Sequence, residues 1–356
     1  AVARSLCESH GLTMWKRLTR KCLEANAVGN APLAADEIAR AASVLFAVFA
    51  RYGDSVITFK LLRAFARAYP DKKYLLITSP QALPYAKAIL PKAVECIGFD
   101  KHRDLFGLWR LTRRLKREPF DIGFNPWSHG LESEYFISFA RRFHAYGAFA
   151  DHLRTHNLYD RARAYLGLPE KPAALTGKIP TQAKRILISP FSTDVRKSLN
   201  ADDLKKLVAW LGKRYENASL ALALFPEEDA KVGDPPLARF YFGKSRKRSH
   251  AFLELVKGSD LFVGVDAGPL HLADALGVPS IGIFGPTAPE TILDRDSGIV
   301  PLRLNAMQGW FCDIRDCQDP LCLHRLLAGT LLPPAPVDFT QPPVLEMNAC
   351  RAEFKN

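Results

Sequence analysis

Asp260–Thr287 reads DLFVGVDAGPLHLADALGVPSIGIFGPT, and its pattern decides the fold. Leu261 to Val265 is a short continuous apolar run, as expected of a strand buried on both faces. Asp266-Ala267-Gly268 is a tight turn, Pro269 to Leu276 has helical spacing, and Ser280 to Phe284 is a second apolar run ending in Gly285-Pro286-Thr287. Strand, helix and strand in this order predict a βαβ unit, and βαβ units build parallel sheets. In open parallel sheets ligands bind at the carboxyl ends of the strands. A helix starting there offers free N–H groups and a positive dipole to an anion. Gly268 lets the backbone approach a diphosphate, and His271 sits one turn into the helix. The plain alternative is that Asp266 caps the helix and His271 merely packs.

Similar units extend in both directions. Upstream in the same half, strands are predicted at Arg185–Ser189, Leu220–Leu224 and Phe240–Phe242, with helices at Ala201–Tyr215 and Ser249–Gly258. The first half repeats the alternation. Strands fall at Ser43–Phe49, Tyr74–Thr78, Ala93–Ile97, Phe120–Asn125 and His144–Ala148, with helices at Val56–Tyr69, Ala82–Leu90, Leu105–Arg117 and Glu134–Phe143. This is α/β architecture, two doubly wound Rossmann-like domains. The expected division is an N-terminal helical extension (1–40, with a short basic helix at Trp15–Ala27), a first domain (41–165), a linker (166–183), a second domain (184–330) and a Pro-rich strap (331–356).

Composition narrows the classes. The chain has 356 residues, 48% hydrophobic and 24% charged, with 22 Gly and 25 Pro scattered without period. That excludes a disordered or collagen-like chain. No apolar run is long enough to span a bilayer, the first residues lack a signal-peptide layout, and seven Cys in this length are not a disulfide scaffold. The expected address is the cytoplasm. The net charge of +12 is uneven: residues 1–150 carry 23 basic and 13 acidic side chains (+10), 151–250 carry 19 and 11 (+8), and 251–356 carry 7 and 13 (−6). A basic front implies an anionic partner: nucleic acid, an acidic membrane surface or a phosphorylated substrate. No nucleic-acid recognition motif accompanies the charge.

Three further clusters follow strands. Ser189 to Lys197 holds Ser192, Thr193 and Lys197, hydroxyls and an ammonium suited to phosphate oxygens; the alternative is a polar loop capped by Ser198 or Asn200. Glu227-Glu228 could accept hydrogen bonds from ribose hydroxyls, or be two solvated acids. Asp54, beside Gly53 after the first strand, is placed to act as a general base, or is a turn residue. Cys312, Cys317, Cys322 and His324 lie within thirteen residues, without the spacing of common zinc sites; packed thiols are the reading preferred here, and no metal is expected.

Together these residues resemble the family 9 glycosyltransferases, the bacterial lipopolysaccharide heptosyltransferases. The resemblance rests on Arg51-x-Gly53-Asp54-x-Val56-x-Thr58 and on Asp266-x-Gly268-x-x-His271-x-Ala273-x-Ala275 with Pro279 and Phe284-Gly285-Pro286-Thr287, and covers about residues 43–326. It implies a GT-B fold, two Rossmann-like domains facing across a cleft. It also implies inverting, metal-independent transfer of heptose from ADP-heptose, with no cofactor. On this resemblance Asp54 is the catalytic base, Ser192, Thr193 and Lys197 hold the donor's diphosphate and sugar, Glu227 lies near the ribose, and Asp266, Gly268 and His271 form the donor turn. The implied acceptor is an anionic inner-core glycolipid of the Kdo-lipid A type, with peripheral contact to the cytoplasmic face of the inner membrane. A family member acting on a protein or another glycan, with ADP-heptose or another nucleotide sugar, is the second reading. Ala267 stands where the family usually has Thr or Ser. The helix Leu105–Arg117 is basic and carries Phe106 and Trp109, which suits either a membrane surface or a packed helix with a solvated basic face.

Overall fold

A computed structural model describes residues 33–100, 105–125, 130–145, 157–169, 171, 175–233, 236–243, 245–303, 310–312, 317, 322–323, 337 and 344–345, with Arg17 and Lys21. The helix expected at Trp15–Ala27, most of the strap, and His324 lie outside these residues. The chain divides into two compact units, residues 1–150 with 162–168, and 151–161 with 169–356.

The first unit is a five-stranded parallel sheet. Its elements are α1 (Ala35–Arg40), β1 (Ser43–Val48), α2 (Tyr52–Ala68), β2 (Lys73–Thr78), α3 (Leu83–Ile89), β3 (Val94–Gly98), α4 (Leu105–Arg117), β4 (Ile122–Asn125), α5 (Leu131–Ile137) and β5 (Arg142–Ala145). The strand order is β3-β2-β1-β4-β5. β1 is buried along nearly its whole length, because helices cover both faces of a parallel sheet. Phe46 lies at the centre of one face, edge-on to Phe65 and Phe124 and stacked on Tyr74. Gly123 on β4 is required by α5: a Cβ there would lie 2.7 Å from the Ile137 carbonyl oxygen.

The helix α6 (Leu158–Tyr165) precedes the second unit's sheet. That sheet holds β6 (Arg185–Ser189), β7 (Ser219–Leu224), β8 (Ala238–Tyr241), β9 (Leu261–Val265), β10 (Ser280–Ile283) and β11 (Ile299–Leu302), with α7 (Ala201–Arg214), α8 (Arg246–Lys257), α9 (Gly268–Ala275) and α10 (Pro289–Ile292) between them. All pairings are parallel in the order β11-β10-β9-β6-β7-β8. Its core combines Ile186, Ile188, Leu222, Val263 and Ile281 from the sheet with Leu204, Leu207 and Leu211 from α7.

The two units repeat one arrangement, down to one fastening. Asp121, just before β4, accepts from the Ala42 and Ser43 backbone N–H groups (2.9 and 3.0 Å) at the start of β1. Asp260, just before β9, accepts from Lys184 and Arg185 N–H (3.0 and 2.8 Å) at the start of β6. In each unit the fourth strand's leading carboxylate ties down the first strand, its neighbour in the sheet.

Several boundaries differ from expectation. α2 begins at Tyr52 with Arg51 as its N-cap and no side-chain capping bond, so Gly53 and Asp54 lie inside its first turn and not in a preceding loop. α5 ends at Ile137, and β5 starts at Arg142, earlier than the expected strand at His144. β11 is an added strand. Its Pro301 sits opposite Gly282 on the sheet edge, where a missing N–H costs no ladder bond. Among the described residues no helix is long and apolar enough to cross a membrane.

Candidate active site

In the second unit the strand order reverses between β6 and β9. The connection after β6 runs to β7 and the one after β9 runs to β10, in opposite directions, so a crevice opens beyond the carboxyl ends of this pair. The register pairs Ser189 with Gly264, so the loop after β6 and the turn after β9 emerge side by side. These are the two clusters singled out in the sequence.

The loop after β6 is tightly tied. Leu199 N–H donates to the Pro190 carbonyl (2.9 Å), closing its base. Ser192 N–H donates to Ser198 Oγ (2.9 Å), which donates back to the Ser192 carbonyl (3.1 Å). Asp194 caps a single 3₁₀ turn, Val195–Lys197, by accepting from Arg196 N–H (3.1 Å), and it also grips the Arg196 guanidinium through Nε (2.9 Å) and Nη2 (2.6 Å). Burial would raise the Asp194 carboxyl, but these bonds to Arg196 hold it below its usual range. Asn200, not Ser198, caps α7 by accepting from Asp203 N–H (2.8 Å).

That turn delivers Lys197 to the neighbouring strand. Its Nζ lies 2.6 Å from Asp266 Oδ2, and His271 Nε2 lies 3.1 Å from Asp266 Oδ1. Asp266 and His271 are each 4% exposed, while the Lys197 side chain is 24% exposed. Burial by itself would raise the Asp266 carboxyl, yet Lys197 and the His271 hydrogen bond outweigh it and hold the group well below the ordinary carboxylate range. An ionised carboxylate only accepts, so His271 donates through Nε2–H.

This corrects the plain alternative for the donor turn. Asp266 does not cap the helix and His271 is not merely packed; both belong to one buried polar cluster. The N-cap is Ala267, which makes no side-chain capping bond. Gly268 is the first helical residue, so the N-terminus of α9 opens at the crevice without a capping side chain.

The other expected positions fall along the same rim or in the first unit. Ser192 Oγ accepts from Asp194 N–H (3.2 Å), and Thr193 is exposed. After β7, the sequence left Glu227 and Glu228 undivided. Glu228 is buried and accepts from Phe225 N–H (2.7 Å), and burial raises its carboxyl above the usual value, so it serves the fold. Glu227 is exposed on the same 3₁₀ turn, Pro226–Lys231. After β10, a Cβ on Gly285 would lie 2.8 Å from Leu323 Cγ, and Cys312 N–H donates to the Pro286 carbonyl (3.0 Å). The cysteine-bearing tail therefore packs onto this second rim loop. Cys312, Cys317 and Cys322 form no disulfide, and among the described residues no group of His, Cys, Asp or Glu could hold a metal.

Asp54 lies in the first unit, where the strand order reverses between β1 and β4. It is half-buried in the first turn of α2, and its carbonyl accepts from Thr58 Oγ1 (2.7 Å). Ser55 Oγ donates to the Ala50 carbonyl (3.2 Å), fixing the turn into the helix. Neither the Asp194–Arg196 clamp nor the Lys197–Asp266 pair is visible in the local sequence.

Residues 249–310, which include the donor turn, match the family model for glycosyltransferase family 9 (heptosyltransferase). No curated protein sequence matches the chain. Among solved structures, the family 9 glycosyl transferase of Veillonella parvula aligns at 15% identity over 75% of this chain and 86% of that one, with a TM-score of 0.55. ADP-heptose LPS heptosyltransferase II of E. coli aligns at 15% identity over 80% and 98%, also at 0.55. E. coli heptosyltransferase WaaC with ADP aligns at 16% identity over 73% and 93%, at 0.51. At such identities the structural likeness is one of fold, two parallel-sheet α/β domains of the GT-B class. Residues 249–310 thus carry the family 9 signature, on a chain with the GT-B fold. An uncapped helix N-terminus at a topological switch point suits an anionic ligand.

Proposed function

We propose that this chain is a family 9 transferase that moves heptose from ADP-heptose to an anionic inner-core lipopolysaccharide acceptor of the Kdo-lipid A type, with inversion. The observation that carries the reading is the Lys197–Asp266–His271 cluster beside the uncapped N-terminus of α9, with Asp266, His271 and α9 inside the segment 249–310 that matches the family model. Asp54 takes the proton from the acceptor hydroxyl. The freed oxygen attacks the anomeric carbon from the side opposite the leaving group, so the configuration inverts. The departing ADP gains negative charge, which Lys197 and the α9 N-terminus stabilise without a metal ion. Ser192, Thr193 and Gly268 supply donors around the diphosphate, and Glu227 accepts from the ribose. The enzyme works at the cytoplasmic face of the inner membrane, where such an acceptor resides.

Ala267 favours a second reading. It removes the hydroxyl the family usually places at this turn, which suits a different nucleotide sugar or a protein or other glycan acceptor. A panel of nucleotide sugars read by ADP or other nucleotide release separates the two. For the mechanism, Asp54→Asn should lower transfer by about 10²–10⁴-fold, the usual worth of a general base, with ADP affinity unchanged by calorimetry. Transfer at the wild-type rate would remove Asp54 from the mechanism.

A further inference from the structure

The two most exposed large apolar side chains among the described residues are neighbours on one helix. Phe106 is 69% exposed and Trp109 is 54% exposed, both on α4, with ring centroids 5.7 Å apart. The inner face of α4 is accounted for, since Gly107, Leu111 and Leu115 are buried against the first unit. Its outer face carries Phe106, Trp109, Arg110, Arg113, Lys116 and Arg117, all exposed. These positions recur at three- and four-residue steps and form a single stripe.

The stripe holds two aromatics and four cations, and α4 contains no acidic residue. Among the described residues, the only guanidinium of the helix tied to a carboxylate is Arg114, which makes two 2.6 Å bonds to Glu95 and so belongs to the fold. Arg110, Arg113, Lys116 and Arg117 make no ion pair with any described residue, and Arg113 lies over the Trp109 ring at 5.3 Å. A cavity of about 250 Å³ opens beside this face, between Gly98 and Phe99 at the end of β3 and the guanidinium-bearing Arg110 and Arg114. Scattered exposed aromatics are ordinary on a protein surface, but a paired patch rimmed by unpaired cations marks an interaction surface.

We propose that the outer face of α4 docks the protein on an anionic lipid bilayer. Phe106 and Trp109 enter the headgroup boundary, where an aromatic ring is stable, and the four cations meet lipid phosphates. The charge composition selects an anionic membrane over an apolar protein partner, because four cations without counter-charges would be costly to bury against apolar surface. The proposal names the surface by which the enzyme would reach a membrane acceptor. It is tested without sugar transfer, so it and the proposed function can fail separately.

The test is co-sedimentation of the full chain with vesicles of phosphatidylcholine alone or with phosphatidylglycerol at about one third of the lipid. Wild-type protein should bind the mixed vesicles, bind the neutral ones at least tenfold more weakly, and come off as salt rises. Arg110→Gln with Arg113→Gln should lower binding by roughly fivefold for each charge removed. Phe106→Ser with Trp109→Ser should abolish stable binding without lowering the thermal midpoint, since both side chains are exposed. Equal binding to both vesicle types, or variants that bind like wild type, would overturn the proposal. So would a wild-type dimer that Phe106→Ser with Trp109→Ser makes monomeric while vesicles are ignored, or binding to duplex nucleic acid in place of vesicles.

Discussion

Asp266→Asn tests whether the buried cluster is held by charge. The change keeps size and removes the negative charge that meets Lys197 at 2.6 Å and His271 at 3.1 Å; the amide oxygen still accepts from His271, and the amide nitrogen takes the place of the oxygen that faced Lys197. Breaking a fully buried ion pair costs about 3–5 kcal/mol; Lys197 reaches water along part of its side chain, so a loss of about 2 kcal/mol at neutral pH is expected. With an unfolding slope of about 2 kcal/mol per molar urea, the midpoint falls by about 1 M. The pH dependence follows from the carboxyl being held low in the folded chain. Such a group binds no proton in the native state where the unfolded chain already does. Its stabilisation is complete above the unfolded value near pH 4 and shrinks as pH falls below it. Between about pH 5 and pH 3 wild type loses about 1.2 kcal/mol that the Asn variant cannot lose. The gap between the two proteins therefore narrows from about 2 to under 1 kcal/mol on the same arithmetic. Urea unfolding followed by far-ultraviolet circular dichroism at three pH values measures it. Equal stability at neutral pH, or a gap that stays constant into acid, would refute the reasoning.

The two glutamates after β7 should separate cleanly. Glu228→Gln weakens the bond to Phe225 N–H and should cost about 1 kcal/mol while leaving ADP affinity in place; Glu227→Ala should do the reverse, and calorimetry beside urea unfolding reads both. Gly123→Ala places a Cβ 2.7 Å from the Ile137 carbonyl oxygen and should destabilise the first unit by about 1–3 kcal/mol, seen as a lower thermal midpoint.

The alternation of strands and helices was legible because buried parallel strands are apolar without interruption, as in SVLFAV of β1 and LFVGV of β9. What was not legible has local physical causes. Ile299–Leu302 contains Pro301, which argues against a strand anywhere but an edge, and an edge is where it lies. The start of α2 at Tyr52 is hidden in the sequence because Arg51 is no usual capping residue. Asp266 invited the opposite error, since an Asp before a helix normally caps it. Lys197 and Asp266 are 69 positions apart, and only the pairing of β6 with β9 makes them partners. Nothing in either local sequence could show that.

That pairing changes the electrostatic picture drawn from the sequence. Residues 151–250 carry an excess of eight positive charges, yet at the crevice Arg196 is matched by Asp194 and Lys197 by Asp266. The cations of the loop are already neutralised, so a diphosphate would not be drawn in by unopposed positive charge there. Under the proposed function it competes with Asp266 for an ammonium that the loop has already positioned. The uncapped N-terminus of α9 then supplies the unopposed attraction. Asp266→Asn should therefore bind ADP more tightly than wild type in dilute buffer, by about tenfold, because the competing charge is gone while His271 keeps a partner. The advantage should fade as salt is added. Weaker binding by the variant would mean that Asp266 acts chiefly by holding Lys197 and His271 in place, and the competition argument would fall.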